Sequence, residues 1–414
     1  MRLVDTEQTV IKEANTIGGL LKVVIPIALG MFLVGFDANL FFFGGTFILK
    51  TIKVNQILLG IAGSGFAAGI AIFSVIGGYI FDKITTRNGI IISLAIISIF
   101  SALTGFVTNQ YELVIYRFLV GFGTGMIQPE IIAFLGDIRP ERRQTIIASE
   151  GIAFGLGLFV APYIYAAYST PSTFDIPFII AGISGAALIG AVVALVPSKY
   201  KLYQRPQKGM LEVLNPSLIL ISLSFFVFGI AFFAFESYYT NYLTFYGFSE
   251  SSASLVFSFF GLALLVATLP AGIMGDMFNR KLVILSASAV MMVASVVLFI
   301  LSPVFGIAAL GTVLFGAGYG MYGNVNAFAQ DSVEDAWRGS AVGFMFLIFN
   351  IGTIIGSPLM GVAIAKFGYH LAGIYVIFIP LIVSLALVAA TPNVRRALLQ
   401  EDMKEKLVPG ESNE

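Results

Sequence analysis

Twelve apolar runs, each long enough to cross a lipid bilayer, leave this chain one kind of fold. A spanning helix needs roughly 20 predominantly apolar residues. Reading with that window puts spans at about 20–46, 55–81, 88–108, 111–136, 145–168 and 174–197 in the first half, and at about 215–245, 250–275, 280–302, 304–330, 340–366 and 370–391 in the second. Of the 414 residues, 58% are apolar and 11% charged. An ordinary soluble domain carries about a quarter charged residues, so a globular alternative would lack a water-compatible surface. In hydrocarbon every backbone polar group must be bonded internally, so the expected class is an all-α membrane protein. Connections between the runs are short, as for antiparallel neighbours. The longest internal polar stretch, 198–214, carries Lys199, Lys201, Arg205 and Lys208 and is expected to be a cytoplasmic linker. It would join a six-helix bundle at 20–197 to another at 215–391, with polar cytoplasmic segments at 1–19 and 392–414.

Acidic and basic side chains balance at 23 each, which argues against a nucleic-acid partner held by an overall field. With no Cys and a single His, disulfides, thiolate metal sites and His-based catalysis are not expected. Gly121-Phe122-Gly123-Thr124-Gly125 is spelled like a dinucleotide loop, but it follows no strand and lies inside an apolar run. Small residues there read as close helix packing. No nucleophile–base pair or phosphate loop is visible, so the expectation is not an enzyme and no cofactor. Basic residues set the orientation. With the N-terminus inside, the outer loops hold only Lys50, Lys53 and Lys366, while Lys83, Arg87, Arg139, Arg142, Arg143, Arg280, Lys281, Arg338 and the linker and tail basics fall inside. The expectation is a monomeric, multi-pass protein of the cell membrane with both termini cytoplasmic.

The chain also repeats itself. Gly78, Asp82 and Arg87 close a tight polar break between two runs, and Gly272, Asp276 and Arg280 close another. Asp82 and Asp276 lie 194 residues apart, as do Asp137 and Asp331. This spacing resembles the major facilitator superfamily, whose loop between helices 2 and 3 reads G-x-L-A-D-R-x-G-R-K. Here Ile80 and Met274 replace the Leu, Lys83 and Met277 the first Arg, and Thr85 and Asn279 the Gly. Arg117-x-x-x-Gly121-x-Gly123 matches that family's helix 4 pattern. Asp137-x-x-Pro140 with Arg142 and Arg143 is similar to the end of helix 4 in sugar porters, and Asp331, Glu334, Arg338 and Gly339 to its counterpart after helix 10. Gly35-Phe36-Asp37 is similar to the Gly-Tyr-Asp of sugar and organic-acid symporters. The resemblance implies twelve helices in two pseudo-symmetric six-helix bundles that rock about a central solute cavity. It implies gating roles for Gly78, Asp82, Arg87, Asp137, Arg143, Gly272, Asp276, Arg280, Asp331 and Arg338. It also implies proton coupling by the helix 1 Asp and helix 4 Arg.

Charges inside the spans carry the functional expectation independently. An ionisable side chain at mid-membrane costs about 2.5–3.5 kcal/mol on the lenient scale. Counting rise per residue, Asp37 sits roughly 25 Å up the first span and Arg117 about 9 Å below the outer surface on the fourth. In a core about 30 Å thick these depths nearly coincide, so the two should pair. The pair is either a permanent fastening of two helices or a switch that Asp37 opens by taking a proton. Glu130, beside Pro129, is a second proton site, a ligand group or an interhelical partner. Glu150 is expected to pair with the Arg139, Arg142 and Arg143 group. Solute contacts are expected from Gln128, from Asn324 and Asn326 on the tenth span and from Asn350 on the eleventh, and the cluster holding Glu236, Tyr239 and Asn241 on the seventh resembles the helix 7 segment that contacts solute in sugar porters. The expected function is proton-coupled symport of a sugar or organic acid. The alternative is proton-antiport efflux of apolar or cationic compounds, since Gly157 to Pro162 partly resembles an antiporter G-x-x-x-G-P pattern with Ala161 at the second Gly.

Overall fold

A computed structural model describes residues 17–52, 56–138, 142–168, 173–196, 214–301, 304–334 and 337–392. The expected linker and both terminal segments fall almost wholly outside these residues. The regular elements are all helical: α1 (Ile17–Ile52), α2 (Gln56–Lys83), α3 (Thr86–Thr104), α4 (Gln110–Ile138), α5 (Arg143–Ala167), α6 (Ile176–Leu195), α7 (Pro216–Phe245), α8 (Glu250–Met277), α9 (Arg280–Phe299), α10 (Phe305–Tyr322), α11 (Asn324–Asp331), α12 (Arg338–Gly373) and α13 (Ile379–Ala390), with a π-helical turn (Ile374–Phe378) before α13. The apolar stretch from Arg338 to Ala390 runs 53 residues. At 1.5 Å per residue that is about 80 Å, more than twice the hydrocarbon thickness. It divides at Gly368, whose φ of 74° is the left-handed region that suits a residue without Cβ. Two spans result, separated where the apolar pattern breaks in the sequence. Nine other stretches are long and apolar enough to cross once, and α2 makes the twelfth span. The chain is an all-α membrane protein of twelve spans.

The helix starts explain two departures from the family loop. Thr85 caps α3 by accepting from the Asn88 amide, and Asn279 caps α9 by accepting from the Lys281 amide. A side-chain oxygen satisfies one of the orphan donors of a first turn, which a Gly cannot do. Just beyond each cap a basic side chain reaches the last turn of its own bundle. Arg87 donates to the carbonyl of Val193 on α6, and Lys281 to those of Ala389 and Thr391 after α13. Cations there meet the negative end of a helix.

Within the first half α2 packs on α4, α1 on α5, and α3 on α4 and α6; in the second, α12 packs on α7, and α8 and α9 on α10. The halves meet where α5 lies along α8 and α12 along α2. Equivalent glycines make equivalent approaches. A Cβ at Gly35 would come 2.5 Å from the carbonyl oxygen of Phe154, and one at Gly229 would come 2.6 Å from that of Phe349. Gly121 on α4 lies against the backbone of Phe66, as Gly316 on α10 does against that of Phe260. The chain is therefore two pseudo-symmetric six-helix bundles.

Their interiors differ. α7 carries Phe225, Phe228, Phe232, Phe235, Tyr239 and Tyr242 at alternating steps of three and four, one face of a helix. Its phenylalanines stack against α10, with Phe228 4.4 Å from Tyr322, Phe232 4.6 Å from Tyr319 and Phe235 4.3 Å from Phe315.

Candidate functional site

The first bundle is centred on an ion pair. Arg117 Nη1 on α4 lies 2.7 Å from Asp37 Oδ2 on α1, and both side chains are 1% exposed. Ser101 on α3 donates to the other carboxylate oxygen. The guanidinium also lies over two rings, 4.3 Å from the centroid of Phe41 and 4.7 Å from that of Phe66. Arg117 Nε is buried and has no acceptor among the described residues. Removing one partner of such a pair would strand the other charge in a dry site. A proton on Asp37 would instead cancel the attraction without removing an atom.

A second charged cluster ties the two bundles together at the face that carries the basic connections. Asp276, ending α8, accepts from the Gln144 amide at 3.1 Å and the Thr145 amide at 2.7 Å. The Thr145 hydroxyl donates to it at 2.7 Å. A carboxylate from the second bundle thus caps the first turn of α5, where a negative charge is favoured. Arg280 joins Asp276 at 2.8 Å and also pairs with Asp331, which pairs in turn with Arg143. Gly272 lets α8 approach the Gln144 carbonyl. Gln330 adds a bond to the Ile132 carbonyl at 3.2 Å. Arg338 heads α12 as Arg143 heads α5. Arg87, expected among the gating residues, is bonded within its own bundle. Gly78, Asp82 and Asp137 lie on described helices, but their side chains fall outside the described residues.

Between the bundles, next to this cluster, is a cavity of about 50 Å³, room for a few waters. Its polar lining includes Gln128, Gln144, Glu150, Thr268, Tyr319, Tyr322 and Asn326, and Phe154, Phe225 and Phe346 form aromatic walls. Gln128 and Asn326 were expected at the solute; the other sequence candidates lie elsewhere. Tyr239 donates to the Ala308 carbonyl at 3.2 Å and accepts from Thr312 at 2.8 Å. Asn324 bonds the carbonyls of Ala271 and Met321, which secures the break between α10 and α11. Asn350 turns back to the Phe346 carbonyl on its own helix, and Asn241 is exposed at the far end of α7. Glu130 accepts from Thr86 at 3.1 Å, at the start of α3. Glu236 is buried, and it acts electrostatically on the phenol of Tyr319.

Glu150, expected to pair with the Arg139, Arg142 and Arg143 group, borders the cavity and has no ion pair among the described residues; Arg143 is engaged with Asp331, and Arg139 lies outside the described residues. Helical spacing could have signalled this, because Gln144, Ile147, Ala148, Gly151 and Phe154 form one face of α5 that all lines the cavity.

Known proteins agree with this architecture. The family model described as Major Facilitator Superfamily matches residues 27–253 and 240–409. The chain is 22% identical to the hexuronate transporter of Bacillus subtilis over 83% of this chain and 89% of that one. It is 23% identical to the gentisate transporter of Corynebacterium glutamicum over 87% and 86%. In three dimensions it is similar to the human organic anion transporter MFSD10 (TETRAN), with a TM-score of 0.73 at 15% identity over 89% of this chain and 99% of that one. Matched by one family model along both of its bundles, and built as twelve spans about a central cavity, the chain belongs to the Major Facilitator Superfamily and is a transporter, not an enzyme.

Proposed function

We propose that the protein imports a small organic acid together with a proton, by alternating access of a cavity between the two bundles. The observation that carries the proton is the Asp37–Arg117 pair, dry, hydrogen-bonded and confined to one bundle. When the guanidinium is drawn away, Asp37 is the group that takes the proton. A proton can then enter as the pair opens on one side of the membrane and leave as it reforms on the other. The Asp276–Arg280–Asp331–Arg143 cluster serves as the gate of the basic face, which is cytoplasmic by the positive-inside rule and is closed here. The protein works as a monomer in the cell membrane with cytoplasmic termini.

The organic-acid class is supported by the names of the relatives, among them the gentisate and benzoate transport proteins, and by walls of Phe154, Phe225 and Phe346 suited to an aromatic ring. A second reading, antiport of a cationic compound, is favoured by a cavity lining that holds no basic side chain among the described residues.

The test is transport in liposomes. An inward proton gradient should drive accumulation of labelled gentisate or glucuronate by the wild type. Asp37→Asn should abolish accumulation yet retain solute exchange, which needs no net proton movement. Undiminished accumulation by Asp37→Asn would refute the coupling role of the pair.

A further inference from the structure

The cavity holds a carboxylate that the coupling scheme leaves without a task. Glu150 is 9% exposed, borders the cavity, and has neither a hydrogen bond nor an ion pair among the described residues. Two amide oxygens on residues lining the same cavity, Gln144 Oε1 and Asn326 Oδ1, are buried without a donor. The described lining contains no Lys, Arg or His. An isolated ionised carboxylate in such a place is expensive.

The charges on neighbouring elements do not relieve it. On α1 Asp37 is tied to Arg117. On α4 Glu130 is bonded to Thr86. On α8 Asp276 is taken by Arg280 and the α5 first turn, and on α11 Asp331 by Arg143 and Arg280. From α10 Tyr319 borders the same cavity, and Glu150 and Glu236 both act electrostatically on its phenol. Tyr319 cannot supply a positive charge.

We infer that Glu150 is a proton-binding group of the solute cavity, and that an organic-acid anion binds there only when Glu150 is protonated, its carboxyl O–H donating to the solute carboxylate. An ionised Glu150 would face the anion with a like charge across a few ångströms of low dielectric. The proton comes from the water that opens onto the cavity and leaves by the same group after the solute is released. The anion part of this inference rests on the organic-acid reading; the proton part does not.

Two measurements on the purified full chain separate them. At neutral pH the infrared spectrum should contain a protonated-carboxyl C=O band that Glu150→Gln weakens. Gentisate affinity of the wild type should fall about tenfold per pH unit once Glu150 ionises, as one linked proton requires. Glu150→Gln should bind with an affinity flat in pH, and Glu150→Asp, if the amide variant misfolds, should keep the slope. An unchanged infrared band, or a wild-type slope retained by Glu150→Gln, would overturn the inference. So would tight binding of tetraethylammonium that Glu150→Gln abolishes. Loss of the band in Glu150→Gln with no gentisate binding at any pH would uphold the proton site and sink the organic-acid reading.

Discussion

The two bundles solve the same helix crossing in opposite ways. In the first, α1 and α4 meet through Asp37 and Arg117, with Ser101 of α3 on the carboxylate. The 194-residue repeat puts Ala231 at the place of Asp37 and Ser295 at that of Ser101, and the matching approaches of Gly121 and Gly316 on α4 and α10 put Thr312 at the place of Arg117. Ala231 is fully buried, Thr312 bonds Tyr239, and Ser295 turns back to the Met291 carbonyl of its own helix. Both bundles keep the glycine approaches that set the helix spacing. The scaffold therefore stands without a buried charge pair, and its retention in one bundle is an addition to the fold. That favours a switch over a fastening.

The comparison can be broken most sharply at Arg117. Arg117→Ala leaves Asp37 buried without its partner and should cost about 3–5 kcal/mol, read as a lower unfolding midpoint in detergent. Replacing both residues, Asp37→Ala with Arg117→Thr, copies the second bundle. That double variant should recover most of the loss while transporting no solute against a gradient. If the double variant is as unstable as the single one, the pair is structural and the two bundles are not interchangeable at this crossing.

A smaller effect is expected at the cluster between the bundles. Asp331→Asn removes the charge that Arg143 and Arg280 share across the interface. Hydrogen bonds to charged groups contribute about 1.5–3 kcal/mol each, so the closed basic face should lose roughly that much. Spin-label distances across that face should lengthen. The same labels on Arg87→Ala should not move, because Arg87 bonds α6 within its own bundle. Unchanged distances in Asp331→Asn would confine the cluster to capping α5.

These outcomes also mark what a sequence can and cannot say in hydrocarbon. The spans were legible because length and apolarity alone decide them, down to the break at Gly368. The meeting of Asp37 with Arg117 was legible because depth follows from counting residues. Helix rotation was not. Lipid-facing and core-facing residues are both apolar here, so no polar stripe announces which face of α7 or α10 turns inward. Amides and hydroxyls in a bundle bond neighbouring backbone as readily as solute. Tyr239, Asn324 and Asn350 did so, while Glu150 was passed over because nearby arginines offered an obvious partner.

The smallest effect separates cavity from core. Asn326 lines the cavity, 6% exposed, with an amide oxygen lacking a donor, so Asn326→Ala should weaken solute binding by up to about tenfold, the worth of one hydrogen bond. Tyr239 was likewise expected at the solute, yet its hydroxyl is spent on Thr312 and Ala308 inside the second bundle. Tyr239→Phe keeps the ring that stacks 4.7 Å from Phe235. It removes one hydroxyl and leaves the Thr312 hydroxyl free to donate to the Ala308 carbonyl, 2.7 Å away. The expected cost is about 1 kcal/mol of stability, with solute affinity unchanged in the same preparation. A drop in affinity with Tyr239→Phe to match Asn326→Ala would mean that α7 turns during transport and brings the Thr312 neighbourhood to the solute, and the second bundle would then have a working centre where its twin has the ion pair.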